Sequence, residues 1–323
     1  MKTRLRSNTA QRLAQIATFL VLLSVPSLVA AQNSYDGPII DMHMHAYPAD
    51  IFRGEYFPNP ISGNKIENAT DEKILHATIE AMDRHNIVTA VLSGPLPTVN
   101  RWLEVESDRF LASPHFPRFE PFVEIDELRR LYESGHLRAM GEITSQYLDM
   151  APTDKRLEPY IALAEELGVP FGIHMGLSGR GVTYTEHPDF RIANGRPLLL
   201  EPMLVRHPNL RIYVMHAGWP FLDEMKAILW THPQVYVDIS ALNWFIPRTE
   251  FHQYLRELVE SGFGDKIMFG SDQMIWPDAI DLAIEGIESA SFLSEEQKRN
   301  IFYNNAARFL RLSEEEIAKH QVR

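Results

Sequence analysis

Short apolar runs alternate with amphipathic stretches from residue 39 to near the C-terminus. The runs at 39–45, 87–92, 119–123, 137–143, 169–174, 210–216, 235–239 and 266–270 are brief and bounded by Gly, Pro or polar residues, which predicts strands. Elsewhere the apolar positions recur every three or four residues. That spacing predicts helices over 71–86, 98–111, 125–133, 154–167, 196–207, 219–231, 249–261, 278–289 and 294–312. In the first helix Thr70 or Asp71 is the cap, and Ile74, Leu75, Thr78, Ile79 and Met82 share one face. Gly168, Pro208 and Gly262 stand where helices must stop. The polar segment 48–68, with Pro and Gly, reads as a loop.

Eight strands, each followed by a helix, predict an α/β fold of the (β/α)8 TIM-barrel type. A doubly wound open sheet is the alternative, but no strand runs into a glycine-rich dinucleotide fingerprint. In a barrel the C-terminal ends of all strands meet on one face, and the active site is expected there.

Composition narrows the chemistry. The 323-residue chain has no cysteine, which excludes disulfides, thiolate metal sites and cysteine nucleophiles. Any metal site must therefore use histidine and carboxylate. With 43 acidic against 31 basic side chains, nucleic acid and anionic membrane are disfavoured as partners. The N-terminus has the form of a signal peptide. Lys2, Arg4, Arg6 and Arg12 precede an apolar stretch over 16–28, and Val29-Ala30-Ala31 offers small residues for a cut after Ala31. The stretch falls short of the roughly 20 residues that span a bilayer. Residues 1–31 are thus expected to be removed, leaving 32–323 as one exported, periplasmic barrel domain. Its expected partner is a small-molecule substrate, and a homodimer is the base-rate expectation.

The strand ends carry the candidate chemistry. His43 and His45, two apart on the first strand, present two imidazoles on one face. Glu142 lies in the fourth strand, His174 and His216 end the fifth and sixth, and Asp272 follows the eighth. Taken singly, each has a plainer explanation: a hydrogen-bonded histidine, a partner for Arg138 or Arg156, a helix cap. Together, in barrel order, they make coincidence a poor account. Histidine and carboxylate suit zinc, manganese or iron rather than calcium. The remaining histidines fall in helices or loops and read as surface or structural.

This order of His-x-His, Glu, His, His and Asp, with Met215-His216-Ala217-Gly218 and Phe269-Gly270-Ser271-Asp272, resembles the amidohydrolase superfamily, in its amidohydrolase-related (type 2) branch. The resemblance implies a metal-dependent hydrolase with one or two divalent ions, Zn2+ first and Mn2+ or Fe2+ next. It implies His43, His45, His174 and Asp272 as the first metal site and His216 as a catalytic or second-metal residue. Many binuclear members use a carboxylated lysine on strand four. Here Glu142 stands instead, to bridge two ions, bind one, or sit behind them. The implied reaction is hydrolysis of a small amide, ester or lactone by metal-activated water, with Asp272 as general base and then acid. A non-oxidative decarboxylase of the aminocarboxymuconate-semialdehyde decarboxylase type uses the same set and is the alternative. Glu142 and the signal peptide tilt the reading towards hydrolysis. Independently of the resemblance, the loop after the fifth strand holds Arg180, with Tyr184 close behind. An arginine there suits a substrate carboxylate. Tyr147, Trp219, Trp244 and Trp276 are candidates for an aromatic wall.

Overall fold

The computed structural model describes residues 35–322, except 53, 117–121 and 177. The signal peptide expected at 1–31 lies outside the described residues. Strands β1 (Ile39–His45), β2 (Ile87–Gly94) and β3 (Phe110–Pro114) form one parallel sheet. Strands β4 (Met140–Ile143), β5 (Phe171–His174), β6 (Ile212–Met215), β7 (Val235–Asp238) and β8 (Ile267–Met268) form a second, also parallel.

Two seams join the sheets through individual hydrogen bonds rather than ladders. Between β3 and β4 the Arg138 and Ala139 N–H groups donate to the Ala112 carbonyl at 2.8 and 3.1 Å. Between β8 and β1 the N–H groups of Met42, Asp272 and His45 reach the carbonyls of Phe269, His43 and Gln273 at 2.9, 2.8 and 2.9 Å. The result is the expected (β/α)8 architecture, with a hydrogen-bond ladder that is not continuous around the barrel.

Helix α1 (Asp71–Arg84) shows why the pattern folds as it does. The Thr70 hydroxyl accepts from the Lys73 N–H, and Asp71 and Glu72 occupy the positive first turn. Ile74, Leu75, Thr78, Ala81 and Met82 are buried against the strands. Inside the barrel Ile40, Met42, Tyr213, Met215 and Met268 pack together, with Tyr303 and Phe309 from the C-terminal helices in the same cluster.

The third strand departs from expectation. Helix α2 (Leu96–Glu106) ends before the predicted 111, and a 3-10 turn at Ser107–Arg109 leads into β3. There the buried Arg109 guanidinium bonds the Asp83 carboxylate and the Ile87 carbonyl, both at 2.6 Å. That anchor turns the chain into Phe110-Leu111-Ala112, which pairs with Ala90-Val91-Leu92. Of the expected strand at 119–123, residues 119–121 lie outside the described residues, and 122–123 pair with no strand.

Strand β1 has two register shifts against β2, and in the second Asp41 pairs with Ala90 and Met44 with Leu92. One extra residue on β1 resets the in–out alternation. Ile40 and Met42 therefore pack inside the barrel, and beyond the shift His43 and His45 turn into its mouth.

Candidate metal centre

Six side chains from five strand ends meet at the mouth: His43 and His45 from β1, Glu142 from β4, His174 from β5, His216 after β6 and Asp272 after β8. All are buried. His43 Nε2 lies 3.1 Å from His45 Nε2, and His45 Nε2 lies 3.0 Å from Asp272 Oδ1. Glu142 Oε1 is 2.5 Å from His174 Nδ1 and 3.6 Å from His216 Nε2. Two sets of ligand atoms each fall within 4.8 Å of one another: His43, His45 and Asp272, and His43, Glu142 and His216. His43 belongs to both.

Backbone geometry delivers these groups. His216 and Asp272 have φ of 57° and 51°, and Ala217 and Ala241 have 46° and 57°. Left-handed conformations at non-glycine residues cost on the order of 1–3 kcal/mol each and persist only where the surroundings impose them. They turn the chain sharply past β6, β7 and β8. At Gly270 a Cβ would come within 2.9 Å of the Cβ atoms of both His43 and Ser240, so only glycine lets β8 approach the centre.

Strand β7 contributes two residues that the sequence reading passed over. His43 Nδ1 lies 2.8 Å from Ser240 Oγ and 3.3 Å from Asp238 Oδ2. The Ser240 carbonyl takes the His216 Nδ1 contact at 3.0 Å. Ser93, from β2, lies 2.8 Å from His45 Nδ1. Serine and aspartate at the end of a Val-Tyr-Val-Asp strand were the available signal.

The buried groups of the centre set one another's charge. Burial alone would raise the Asp272, Glu142 and Asp238 carboxyls. The facing imidazoles outweigh it: His43 and His45 for Asp272, His174 and His216 for Glu142, His43 and His216 for Asp238, so all three stay below the usual range. Burial likewise opposes charge on His43, yet Asp272, Asp238 and Glu142 raise it to about 10. His216 is raised, against burial, by Glu142 and Asp272. His174 is lowered by burial and by His216. Among the described residues these three carboxylates pair with no Lys or Arg; Arg156 pairs instead with Asp154 at 2.7 Å. Three buried carboxylates facing imidazoles form a site whose donors and charge fit a divalent transition ion.

Above the centre opens a cavity of about 530 Å³. Tyr47, Phe52, Phe57, Trp219, Phe245 and Trp276 form much of its wall, with Tyr147 and Arg180 at another side. Trp244 lies behind the wall, its indole N–H donating to the Ser271 carbonyl at 2.7 Å. Tyr184 does not line the cavity. It is 92% exposed, because the 3-10 turn Val182–Tyr184 directs Val182 inwards instead. Tyr184 borders a separate shallow hollow with Phe190 and Ile192.

Comparisons with known proteins agree with this architecture. The family described as amidohydrolase matches residues 40–312. A probable 2-pyrone-4,6-dicarboxylic acid hydrolase from Acinetobacter baumannii, solved with citric acid bound, superposes with a TM-score of 0.61 at 15% identity, covering 85% of this chain and 99% of that one. 2,6-Dihydroxybenzoate decarboxylase from Rhizobium gives 0.54 at 19% identity, covering 85% and 99%. Protein fluG of Emericella nidulans is 19% identical over 161 residues, which is 45% of this chain and only 18% of that protein's length.

Proposed function

The chain is an enzyme of the amidohydrolase family, and on that premise we propose that it hydrolyses a small amide, ester or lactone. The observation that carries this reading is Asp272. Its buried carboxylate is held ionised by His43 and His45 at the edge of the cavity. An ionised carboxylate in that place is a competent proton acceptor. His43, His45, His174 and Asp272 are the residues that would hold a divalent ion, Zn2+ first, with Glu142 beside them. When bound, the ion supplies Lewis acidity to a carbonyl and acidity to water.

The side chains do the rest. Asp272 takes the proton of the attacking water and returns it to the leaving nitrogen or oxygen. His216 is anchored through Nδ1, charged more readily than an ordinary histidine, and donates through Nε2 to the developing oxyanion. Arg180 lines the cavity and binds a substrate carboxylate. The aromatic walls exclude water from the reacting group.

Those same walls favour a second reading, a non-oxidative decarboxylase. A carboxylate poorly solvated by aromatic surface loses carbon dioxide more readily. Product analysis on a panel of candidate esters, amides, lactones and aryl carboxylates separates the two. A new acid with an alcohol or amine supports the hydrolase; carbon dioxide from the carboxylates replaces it with the lyase.

The basic, apolar N-terminus supports export to the periplasm with removal of residues 1–31. N-terminal sequencing of the protein from a periplasmic fraction tests it: a start at Gln32 is expected, and an intact Met1 in the cytoplasm overturns it. Among the described residues, no helix is long and apolar enough to cross a membrane.

A further inference from the structure

We propose that Ser240 is a positioning residue that fixes which nitrogen His43 presents to the cation, an inference that rests on reading the centre as a metal site. His43 is the member common to both ligand sets, so its orientation bears on any ion held there.

The hydrogen-bond directions follow from counting protons. The Ser240 hydroxyl lies 2.5 Å from Asp238 Oδ1. A carboxylate accepts and does not donate, so the single hydroxyl proton of Ser240 goes to Asp238. Towards His43 Nδ1, at 2.8 Å, Ser240 Oγ is then left only as an acceptor. The proton of that contact must sit on His43 Nδ1. Asp238 Oδ2, 3.3 Å from the same nitrogen, favours it there too.

Asp238 is itself held in place, since its Oδ1 also accepts the backbone N–H groups of His216 and Ser240, each at 3.0 Å. With Nδ1 committed, His43 turns its Nε2 towards His45, Asp272 and Glu142. His45 lacks this logic. Ser93 faces its Nδ1 at 2.8 Å, and no described acceptor fixes the direction of the Ser93 proton. The two histidines of one motif are therefore oriented by different strands, β7 for His43 and β2 for His45. Outer partners of this kind fix tautomer and ring orientation, and their loss costs about 10- to 100-fold in metal affinity.

The test loads the full chain with Zn2+ alone and reads imidazole tautomers by long-range 1H–15N NMR. In the wild type we expect His43 protonated on Nδ1, with Nε2 unprotonated and shifted by zinc. In Ser240→Ala, zinc affinity measured against a competing chelator should fall about 10- to 100-fold. The His43 Nδ1 proton signal should move or exchange away while that of His45 stays. A Ser93→Ala variant should leave the His43 Nδ1 proton signal in place. Zinc-loaded wild type with His43 protonated on Nε2 overturns the proposal without any variant, so misfolding of Ser240→Ala cannot shelter it. Unchanged affinity and an unchanged His43 signal in Ser240→Ala overturn it as well. A wild type that takes up no zinc overturns the metal reading itself, a result distinguishable from both.

Discussion

His45 Nε2 stands 3.0 Å from Asp272 Oδ1, across the seam where the last strand meets the first. The same seam carries the Asp272 N–H to the His43 carbonyl at 2.8 Å. Asp41 Oδ1 ties it further, accepting the N–H groups of His43 and Ser271, each at 3.0 Å. Asp272 and the imidazole pair are thus fixed to one another by backbone as well as by side chain. The arrangement leads to five expectations.

Asp272→Asn keeps the shape of the side chain and removes its capacity to accept a proton. With a substrate in hand, kcat should fall about 10²- to 10⁴-fold, while the thermal midpoint moves by only a few degrees. A wild-type rate would remove Asp272 from the mechanism.

An imidazole nitrogen has one lone pair, and the Nδ1 of His43 already faces Ser240 and Asp238. The two ligand sets that share His43 are then alternatives around one centre. Elemental mass spectrometry of the purified protein should find about one divalent ion per chain. Glu142→Gln should leave that number unchanged. Two ions in the wild type, falling to one in the variant, would make Glu142 a bridge.

Arg180 contributes a cation to a cavity walled largely by aromatic rings. Arg180→Gln should raise KM for carboxylate-bearing substrates with kcat little changed, the pattern of a residue that acts in binding alone. A fall in kcat at constant KM would place it in the chemistry instead.

Gly270→Ala adds one methyl group where His43 and Ser240 already approach. Because cores resist added volume, the variant should lose bound metal and activity together while remaining folded by circular dichroism. Full metal content would show that the centre can yield.

Asp281 receives His85 Nε2 at 2.6 Å and Arg84 at 2.9 Å, linking helix Ala279–Glu288 to the end of α1. Burial would raise its carboxyl, but the hydrogen bonds from His85 and Arg84 hold it below the ordinary value. A depressed carboxylate stabilises the fold above its unfolded pKa, about 4, and that contribution disappears as pH falls through the folded value. Asp281→Asn should therefore melt earlier than wild type at pH 7, with the gap closing below about pH 4. A gap independent of pH would show that charge plays no part.

The lapses in the sequence reading have physical causes. The end of α2 and the start of β3 depend on Arg109 reaching Asp83 and Ile87, partners that periodicity does not reveal. Tyr184 is close in sequence to Arg180 yet faces solvent, because a single 3-10 turn decides which of two neighbours points inwards.

The sequence by itself determined the alternation of strand and helix, hence the barrel. It also determined the identity of the six polar groups at the strand ends, because charged and imidazole side chains closing apolar runs are legible in one dimension. Tertiary structure alone decided how those groups face one another. The extra residue in β1, the left-handed turns at His216 and Asp272, and the role of Asp238 and Ser240 all arise from contacts between strands far apart in the chain. Strand periodicity records which residues share a face; it carries no record of the partner across the barrel, and that partner sets the hydrogen bonds and charge on which the chemistry depends.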